Sequence, residues 1–180
     1  AAATPKLTIG DPLANAWEIL NQTQALEQEG VSLGVFPELC LSGYSAEDLF
    51  FSDALLRDTR AAIQTLCQSK LPLIAVGAPW RLADGRLLNC AVMIGAGRVL
   101  GMIPKSFLPN YSEYYEQRWF VSGSDINETE ADPDLGTFHI RVDQLFALGE
   151  YWVGAEICED LWAPISPATH AALAGADIVC

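Results

Sequence analysis

The sequence has 180 residues, of which 51% are hydrophobic, enough apolar material for one domain with a sizeable core. Its 10 Lys and Arg against 23 Asp and Glu give a net charge of −13, which would repel a phosphate backbone, so we expect no nucleic-acid partner. No apolar run approaches the roughly 20 residues of a membrane span, and no signal segment is recognisable. We therefore expect a soluble protein without a membrane partner.

The cysteine pattern bears on redox compartment and on metal binding. The five cysteines are Cys40, Cys67, Cys90, Cys158 and Cys180. Their odd number, wide spacing and lack of C-x-x-C pairs argue against a disulfide framework and against a zinc site. His139 and His170 lie far apart without ligand neighbours, and we interpret both as structural or surface residues. The prediction is a cytoplasmic protein without a metal site.

The first predicted elements are a helix, a strand and a second helix. The first helix runs from about Asp11 to Glu29, because Asp11 is a suitable N-cap and a proline follows it. A short apolar run, Leu33 to Phe36, predicts a buried strand that delivers Glu38 at its C-terminal end. Ser52 or Asp53 caps the next helix.

Strands dominate the middle of the chain. The predicted strands are Leu71 to Gly77, Leu88 to Ile94, Arg98 to Ile103, Thr137 to Val142 and Trp152 to Ile157. The second and third form a hairpin across glycines whose spacing does not suit a phosphate loop. Residues 105–134 lack periodicity and are predicted to form a functional loop. With a helix from about Pro167 to Leu173, the alternation predicts a layered α/β fold of mixed sheet.

Both ends of the sequence have the pattern of interrupted strands. Ala1 to Ala3 resembles the remainder of a strand, and residues 175–180 stop where a turn gives way to an apolar strand. We interpret residues 1–180 as a fragment of a longer protein.

Three ionisable residues follow predicted strands directly. They are Glu38, Lys105 and Cys158, and strand ends of this kind converge on one rim of a layered sheet. A rigidly held thiol beside a carboxylate and an ammonium suits nucleophilic catalysis. The alternative is a buried, inert cysteine among scattered surface charges, in a non-catalytic scaffold.

The segments around these residues resemble a known family. They read FPELCLSGY at 36–44, PKSFLPNY at 104–111 and ICEDLW at 157–162, with Tyr-Tyr-Glu and Arg-Trp-Phe between the last two. They are similar to the Glu, Lys and Cys motifs of the nitrilase (carbon–nitrogen hydrolase) superfamily, and more narrowly to the glutaminase domain of the glutamine-dependent NAD synthetases. The resemblance covers nearly the whole chain.

The resemblance implies a nitrilase-like α-β-β-α sandwich with mixed sheets, truncated here at both ends. It makes residues 1–180 a partial N-terminal glutaminase domain, with the C-terminal synthetase domain absent. Glutamine is the implied substrate, and the fused synthetase domain would use the ammonia, ATP and Mg to convert deamido-NAD to NAD. The glutaminase step needs no cofactor. A homo-oligomer is expected. By the same resemblance Glu113 supports the catalytic set, and Tyr111 and Tyr44 contact glutamine.

The chemistry of amide hydrolysis assigns roles to these groups. Cys158 attacks the amide carbon, and Glu38 takes and returns the proton. The ordinary pKa values of Cys and Glu differ by about four units, so we expect enclosure to raise the pKa of Glu38 and Lys105 to lower that of Cys158. Lys105 and the backbone N–H of Glu159 are the expected oxyanion donors. A stand-alone amidase of the same superfamily, acting on another amide or nitrile, is the alternative enzyme.

Overall fold

Helices and strands alternate in layers in the computed structural model, which describes residues 1–180. The three α-helices are α1 (Pro12–Gln28), α2 (Asp53–Leu66) and α3 (Pro167–Leu173). The nine strands are β1 (Leu33–Val35), β2 (Leu73–Arg81), β3 (Leu87–Gly95), β4 (Arg98–Pro104), β5 (Asn127–Asp132), β6 (Gly136–Arg141), β7 (Phe146–Leu148), β8 (Tyr151–Gly154) and β9 (Ile178–Val179). Short 3₁₀ turns occupy Tyr44–Phe51, Glu116–Arg118 and Cys158–Trp162.

The strands form two mixed sheets. The larger has the order β1-β2-β3-β4-β6-β5, and the smaller has the order β7-β8-β9. In the larger sheet β1 is parallel to β2 and β4 is parallel to β6, while β2, β3 and β4 form an antiparallel meander and β5 pairs antiparallel with β6. The hairpin predicted between residues 88–94 and 98–103 is thereby confirmed as the β3–β4 pair.

Side-chain caps begin all three helices. The Asp11 carboxylate accepts the N–H of Ala14 at 3.0 Å, so α1 starts where the sequence predicts. Ser52, rather than Asp53, caps α2, and Ser166 accepts the N–H of Thr169 at the start of α3. No helix of the chain is both long and apolar enough to traverse a lipid bilayer.

Apolar side chains hold four layers together. On one face of the large sheet, Ile19 of α1 and Ile63 of α2 pack in a single core with strand residues such as Val76. On the opposite face, Met93 shares a second core with Val153 of the small sheet. Each such buried side chain contributes about 1.5–3 kcal/mol to folding.

Helix α3 forms the outermost layer, against the small sheet. A Cβ built on Gly154 of β8 would lie 3.1 Å from the Cβ of Ala171, so helix and sheet are in contact there. The order of layers is therefore α-β-β-α with mixed sheets, as predicted.

The clearest difference from prediction is strand β5, which lies inside the segment predicted to be a loop. Its sequence, NETEAD, is mostly exposed and has no apolar alternation. Its structure comes from six backbone partners on β6, an interaction that local sequence does not encode. Strand β8 also ends earlier than predicted, at Gly154, which leaves residues 155–157 as an extended lead into the turn at Cys158.

Candidate active site

Glu38 lies in a tight turn that follows β1. The turn presses against Gly77 of β2, where an added Cβ would come within 2.2 Å of the Leu39 nitrogen and 2.4 Å of the Pro37 oxygen. Leu39 adopts a positive φ of 50°, which shows how sharply the chain reverses. The turn leaves the Glu38 side chain 15% exposed.

Lys105 follows β4, and its side chain is fully enclosed. Its Nζ donates to Oε1 of Glu38 at 2.6 Å and to Oε1 of Glu116 at 2.8 Å. Burial by itself would lower the pKa of Lys105, but the two carboxylates outweigh it and raise that pKa above its ordinary value. The ammonium is therefore a fixed positive charge at neutral pH.

Glu116 is the second carboxylate of the cluster and is only 1% exposed. Its Oε1 accepts the Tyr44 hydroxyl at 2.8 Å as well as the ammonium of Lys105, while its Oε2 has no hydrogen-bond partner in the chain. Burial raises the pKa of Glu116, against the opposing effect of Lys105. Burial and the hydrogen bond to Glu116 likewise raise the pKa of Tyr44.

Glu113, the supporting glutamate implied by the resemblance, is not brought to this cluster. It is exposed and lines an open surface depression with Asp48 and Arg118. The glutamate that holds Lys105 is Glu116, at the start of a 3₁₀ turn. The sequence contained a signal for this role, since Glu116 is the last residue of the Tyr-Tyr-Glu segment that contributes to the family resemblance.

A further polar residue that sequence reasoning missed lies on β3. Asn89 is 1% exposed, and its Nδ2 donates to Oε1 of Glu38 at 2.6 Å. Its backbone carbonyl accepts the N–H of Lys105 at 2.8 Å. The sequence signal is a lone asparagine in an otherwise apolar strand.

Cys158 is the first residue of its 3₁₀ turn and is exposed, unlike the other four cysteines. Its φ of 47° is a left-handed conformation that costs energy for a residue with a Cβ and is held only where the surroundings fix it. Cys158 and Glu38 line the same small, mostly apolar cavity of about 100 Å³. The structure thus brings all three predicted strand-end residues to one place.

Asp160 links the cysteine turn to the lysine loop. Its buried carboxylate accepts the N–H of Ile157 at 3.1 Å, and those of Ser106 and Phe107 at 3.0 and 2.8 Å. The first donor precedes Cys158 and the other two follow Lys105. Burial raises the pKa of Asp160, opposed by these N–H groups. One carboxylate therefore joins the segment before Cys158 to the segment after Lys105.

The pKa of Cys158 differs from expectation. Partial burial of the sulfur and the negative charge of Glu38 raise the pKa of Cys158, and Lys105, which lowers it, does not compensate. The expected net lowering of the Cys158 pKa by Lys105 is therefore wrong, because burial and the charge of Glu38 outweigh the effect of the ammonium. The resting thiol is neutral and needs a base when it attacks.

Tyr111 and Glu159 form the mouth of the site. The Tyr111 hydroxyl donates to the Glu159 carboxylate at 2.9 Å, and the tyrosine ring is exposed. This hydrogen bond raises the pKa of Tyr111. Glu159 is the second residue of the 3₁₀ turn, so its backbone N–H has no partner within that turn. No cluster of His, Cys, Asp and Glu side chains in the chain is arranged to hold a metal.

This set of groups suits acyl transfer from an amide. A thiol supplies the nucleophile, a neighbouring carboxylate the base, and a fixed ammonium the charge that stabilises an oxyanion. Together with the α-β-β-α sandwich, it defines a carbon–nitrogen bond hydrolase.

Comparison with known proteins supports the assignment to the carbon–nitrogen hydrolases. The profile of the carbon–nitrogen hydrolase family matches residues 2–180, and the chain belongs to that family of enzymes. It is 43% identical over 189 aligned residues to a glutamine-dependent NAD(+) synthetase of Mycobacterium tuberculosis, covering 99% of this chain and 27% of the relative. The chain therefore spans about a quarter of the length of the curated relatives that it matches.

Solved structures show the same fold. The glutamine-dependent NAD+ synthetase of Acinetobacter baumannii superposes with a TM-score of 0.81 at 27% identity, over 99% of this chain and 31% of that one. An amidase from Nesterenkonia sp. superposes with a TM-score of 0.73 at 19% identity, over 99% and 62% of the two chains. The resemblance to the nitrilase superfamily is confirmed.

Proposed function

We propose that this chain is the glutaminase part of a glutamine-dependent NAD synthetase, in which Cys158 carries a γ-glutamyl thioester. The observation that carries the proposal is the position of Glu38, bonded to Lys105 at 2.6 Å while lining one cavity with Cys158. The identity of 43% to a protein of that name supports glutamine as the amide substrate.

The first step forms the carbon–sulfur bond. Glu38 takes the proton of the Cys158 thiol as the sulfur attacks the amide carbon of glutamine. The carbonyl electron pair moves to oxygen, and the resulting oxyanion is held by Lys105 and by the N–H of Glu159. Lys105 has three N–H donors, of which two bind Glu38 and Glu116, so one is left for the oxyanion.

The second step breaks the carbon–nitrogen bond. Glu38 returns its proton to the departing nitrogen, ammonia leaves, and the acyl group stays on Cys158 as a thioester. Glu38 then takes a proton from water as the water attacks the thioester. Collapse of this second oxyanion expels the sulfur, which regains its proton, and releases glutamate. The enzyme is restored without a metal or cofactor acting in this domain.

Substrate recognition is assigned to the mouth of the site. Tyr111 stands beside Glu159 with its ring exposed, which suits it to contact the α-amino acid end of glutamine. Tyr44 donates to Oε1 of Glu116, the oxygen that also accepts from Lys105, and is therefore proposed to line the pocket near the ammonium.

The ammonia is proposed to serve a synthetase domain in the same polypeptide. Relatives of this name are much longer than residues 1–180, which leaves room for such a domain. There, ATP and Mg would activate deamido-NAD for amidation to NAD. We further propose that the whole protein is cytoplasmic and forms a homo-oligomer.

The alternative within the family is a stand-alone amidase acting on another small amide or nitrile. This chain superposes on the Nesterenkonia amidase over 99% of its length. At 19% identity the superposition supports a shared fold alone. A substrate panel of glutamine, acetamide, propionamide and a small nitrile separates the two. Preference for a simple amide over glutamine would support the amidase.

The proposed function is tested on the full-length protein by following glutamate and ammonia release from glutamine. Cys158→Ala should abolish glutamine hydrolysis, while NAD formation from added ammonium chloride should persist. Cys67→Ala, at a half-buried cysteine outside the site, is the matched control and should retain both activities. Glutamine hydrolysis that survives Cys158→Ala would contradict the proposal.

A further inference from the structure

Asn89 is the one polar side chain with hydrogen-bonding groups on an otherwise apolar strand. β3 reads LLNCAVMIG and is buried throughout. Alternate residues of a strand share a face. Ala91 and Met93 lie in the core between the two sheets, and Asn89 lies on that same inner face.

Both ends of the Glu38–Lys105 ion pair are held by Asn89. Its side-chain Nδ2 donates to Oε1 of Glu38 at 2.6 Å, and its backbone carbonyl accepts the N–H of Lys105 at 2.8 Å. Only the NH₂ end of the amide can lie this close to a carboxylate oxygen, since the other end would place two acceptors together. The contact therefore fixes the orientation of the asparagine as well as that of the carboxylate.

The two oxygens of Glu38 are consequently not equivalent. Oε1 accepts both the ammonium of Lys105 and the amide of Asn89, each at 2.6 Å. Oε2 accepts no hydrogen bond from the chain, and Glu38 lines the cavity that also contains Cys158. The oxygen free to take a proton is Oε2.

The arrangement is not one that stability alone would select. Oδ1 of Asn89 is buried without a hydrogen-bond partner in the chain, which is unfavourable for a polar atom. An apolar residue would suit the remainder of β3 better. Because the buried Oδ1 lowers stability, we expect the Nδ2 end of the same amide, which donates to Glu38, to have a role in the site.

We infer that Asn89 is a positioning residue, which binds Oε1 of Glu38 onto Lys105 and so reserves Oε2 for proton transfer with Cys158. This inference rests on the proposed function. Its signature is a change in proton-transfer chemistry without loss of fold stability.

The test uses Asn89→Leu in the full-length protein, with glutamine hydrolysis as the assay. We expect kcat to fall about 10- to 100-fold, the size of effect that a hydrogen bond to a charged group produces. KM should change little, because Asn89 lies behind Glu38. The thermal midpoint should stay the same or rise.

Two further variants make the result decisive. Asn89→Ser keeps a smaller donor and should recover part of kcat. Thr59→Val removes a buried hydrogen bond of α2, outside the candidate site, and should leave kcat within about two-fold. Wild-type kcat in both Asn89 variants would overturn the inference. A wild-type protein that does not hydrolyse glutamine would instead overturn the proposed function, and this inference with it.

Discussion

Oε1 of Glu38 lies 2.6 Å from Nζ of Lys105, and the same ammonium lies 2.8 Å from Oε1 of Glu116. One enclosed cation thus holds two carboxylates, one 67 residues before it in the sequence and the other 11 residues after it. Because the three charges are largely removed from water, each depends on the others for compensation. The cluster is both the chemical centre of the site and a point where a single substitution has large effects.

Replacing Lys105 by methionine should therefore damage stability and activity together. At pH 7 the loss of unfolding free energy should be about 3–5 kcal/mol, because Glu116 is left buried without a countercharge. The kcat for glutamine should fall at least about 10²- to 10³-fold, as when an oxyanion donor is removed. Urea denaturation and the glutaminase assay on the full-length protein measure both.

The stability of the Lys105→Met variant should depend on pH. Burial already raises the pKa of Glu116, and losing the ammonium raises it further, so the folded variant takes up a proton more readily than the unfolded chain. The stability deficit should shrink as the pH falls from 7.5 to 5. Lys70→Met, at an exposed lysine, should match wild type throughout. A deficit that grows on acidification would contradict the electrostatic account.

The two neighbouring glutamates should behave differently when each is changed to glutamine. Glu116→Gln removes the charge that orients Lys105 and Tyr44, and we expect kcat to fall by about 10-fold or more. Glu113→Gln alters an exposed side chain outside the cluster and should leave kcat within about two-fold. Steady-state kinetics of the two full-length variants measure which glutamate affects kcat. The reverse ranking would restore the role that the resemblance gives to Glu113.

The contrast between these glutamates shows what local sequence can predict. Helix α1 is predictable because Asp11 and the proline after it act within one turn of chain. The convergence of Glu38, Lys105 and Cys158 is predictable because strand ends in a layered sheet meet at one rim. The choice of Glu116 over Glu113 depends on how a loop without periodicity folds back over Lys105. That is set by tertiary contacts, as is the pairing that makes β5 a strand.

The direction of the pKa shift of Cys158 could not be predicted from the sequence either. A lysine near a cysteine predicts a lowered thiol pKa, but the outcome depends on what else the lysine binds. Burial of the Cys158 thiol raises its pKa most, Glu38 also opposes its ionisation, and the ammonium of Lys105 is already bonded to two carboxylates. The direction of the Cys158 pKa shift therefore follows only from the folded structure, which shows how buried the thiol is and which charges surround it.

Alkylation by iodoacetamide should report this directly. Cys158 should react first because it is the exposed cysteine, whereas burial raises the pKa of Cys40 to about 12 and that of Cys180 to about 11. Its rate should still be rising above pH 8.5, the ordinary thiol pKa being about that value, because its own pKa is raised. Peptide mass spectrometry after timed labelling gives both results. A plateau near pH 6 would indicate a pre-formed thiolate, and equal rates at all cysteines would favour a non-catalytic scaffold.

Asp160→Asn should loosen the link between the cysteine turn and the lysine loop. One side-chain oxygen can still accept from Ser106 and Phe107, but the new NH₂ group faces the N–H of Ile157, where an acceptor is needed. We expect a loss of about 1–3 kcal/mol in unfolding free energy. The kcat should also fall, because Cys158 and Lys105 are no longer held at a fixed separation.

Asp143→Asn provides the comparison for that variant. Asp143 pairs with Arg141 at the surface, an interaction worth about 0–1 kcal/mol, so its loss should be small and kcat should not change. Denaturation curves and kinetics of the two variants, measured side by side, test the linking role. Equal effects at both positions would show that Asp160 is an ordinary structural carboxylate.

Gly77→Ala should act on catalysis through the backbone. An added Cβ would lie 2.2 to 2.6 Å from backbone atoms of residues 37–39, so the turn that carries Glu38 must move. A displacement of about 1 Å at a reacting group costs up to about 10²-fold in rate, and the overpacking costs about 1–3 kcal/mol in stability. Gly34→Ala is the matched control, because its Cβ would meet only side-chain atoms of Leu71, Ile74 and Phe36, at 3.1 to 3.4 Å. If Gly77→Ala lowered stability no more than Gly34→Ala and kept wild-type kcat, the turn at Glu38 would be positioned by its hydrogen bonds to Asn89 and Lys105 rather than by the close approach of β2.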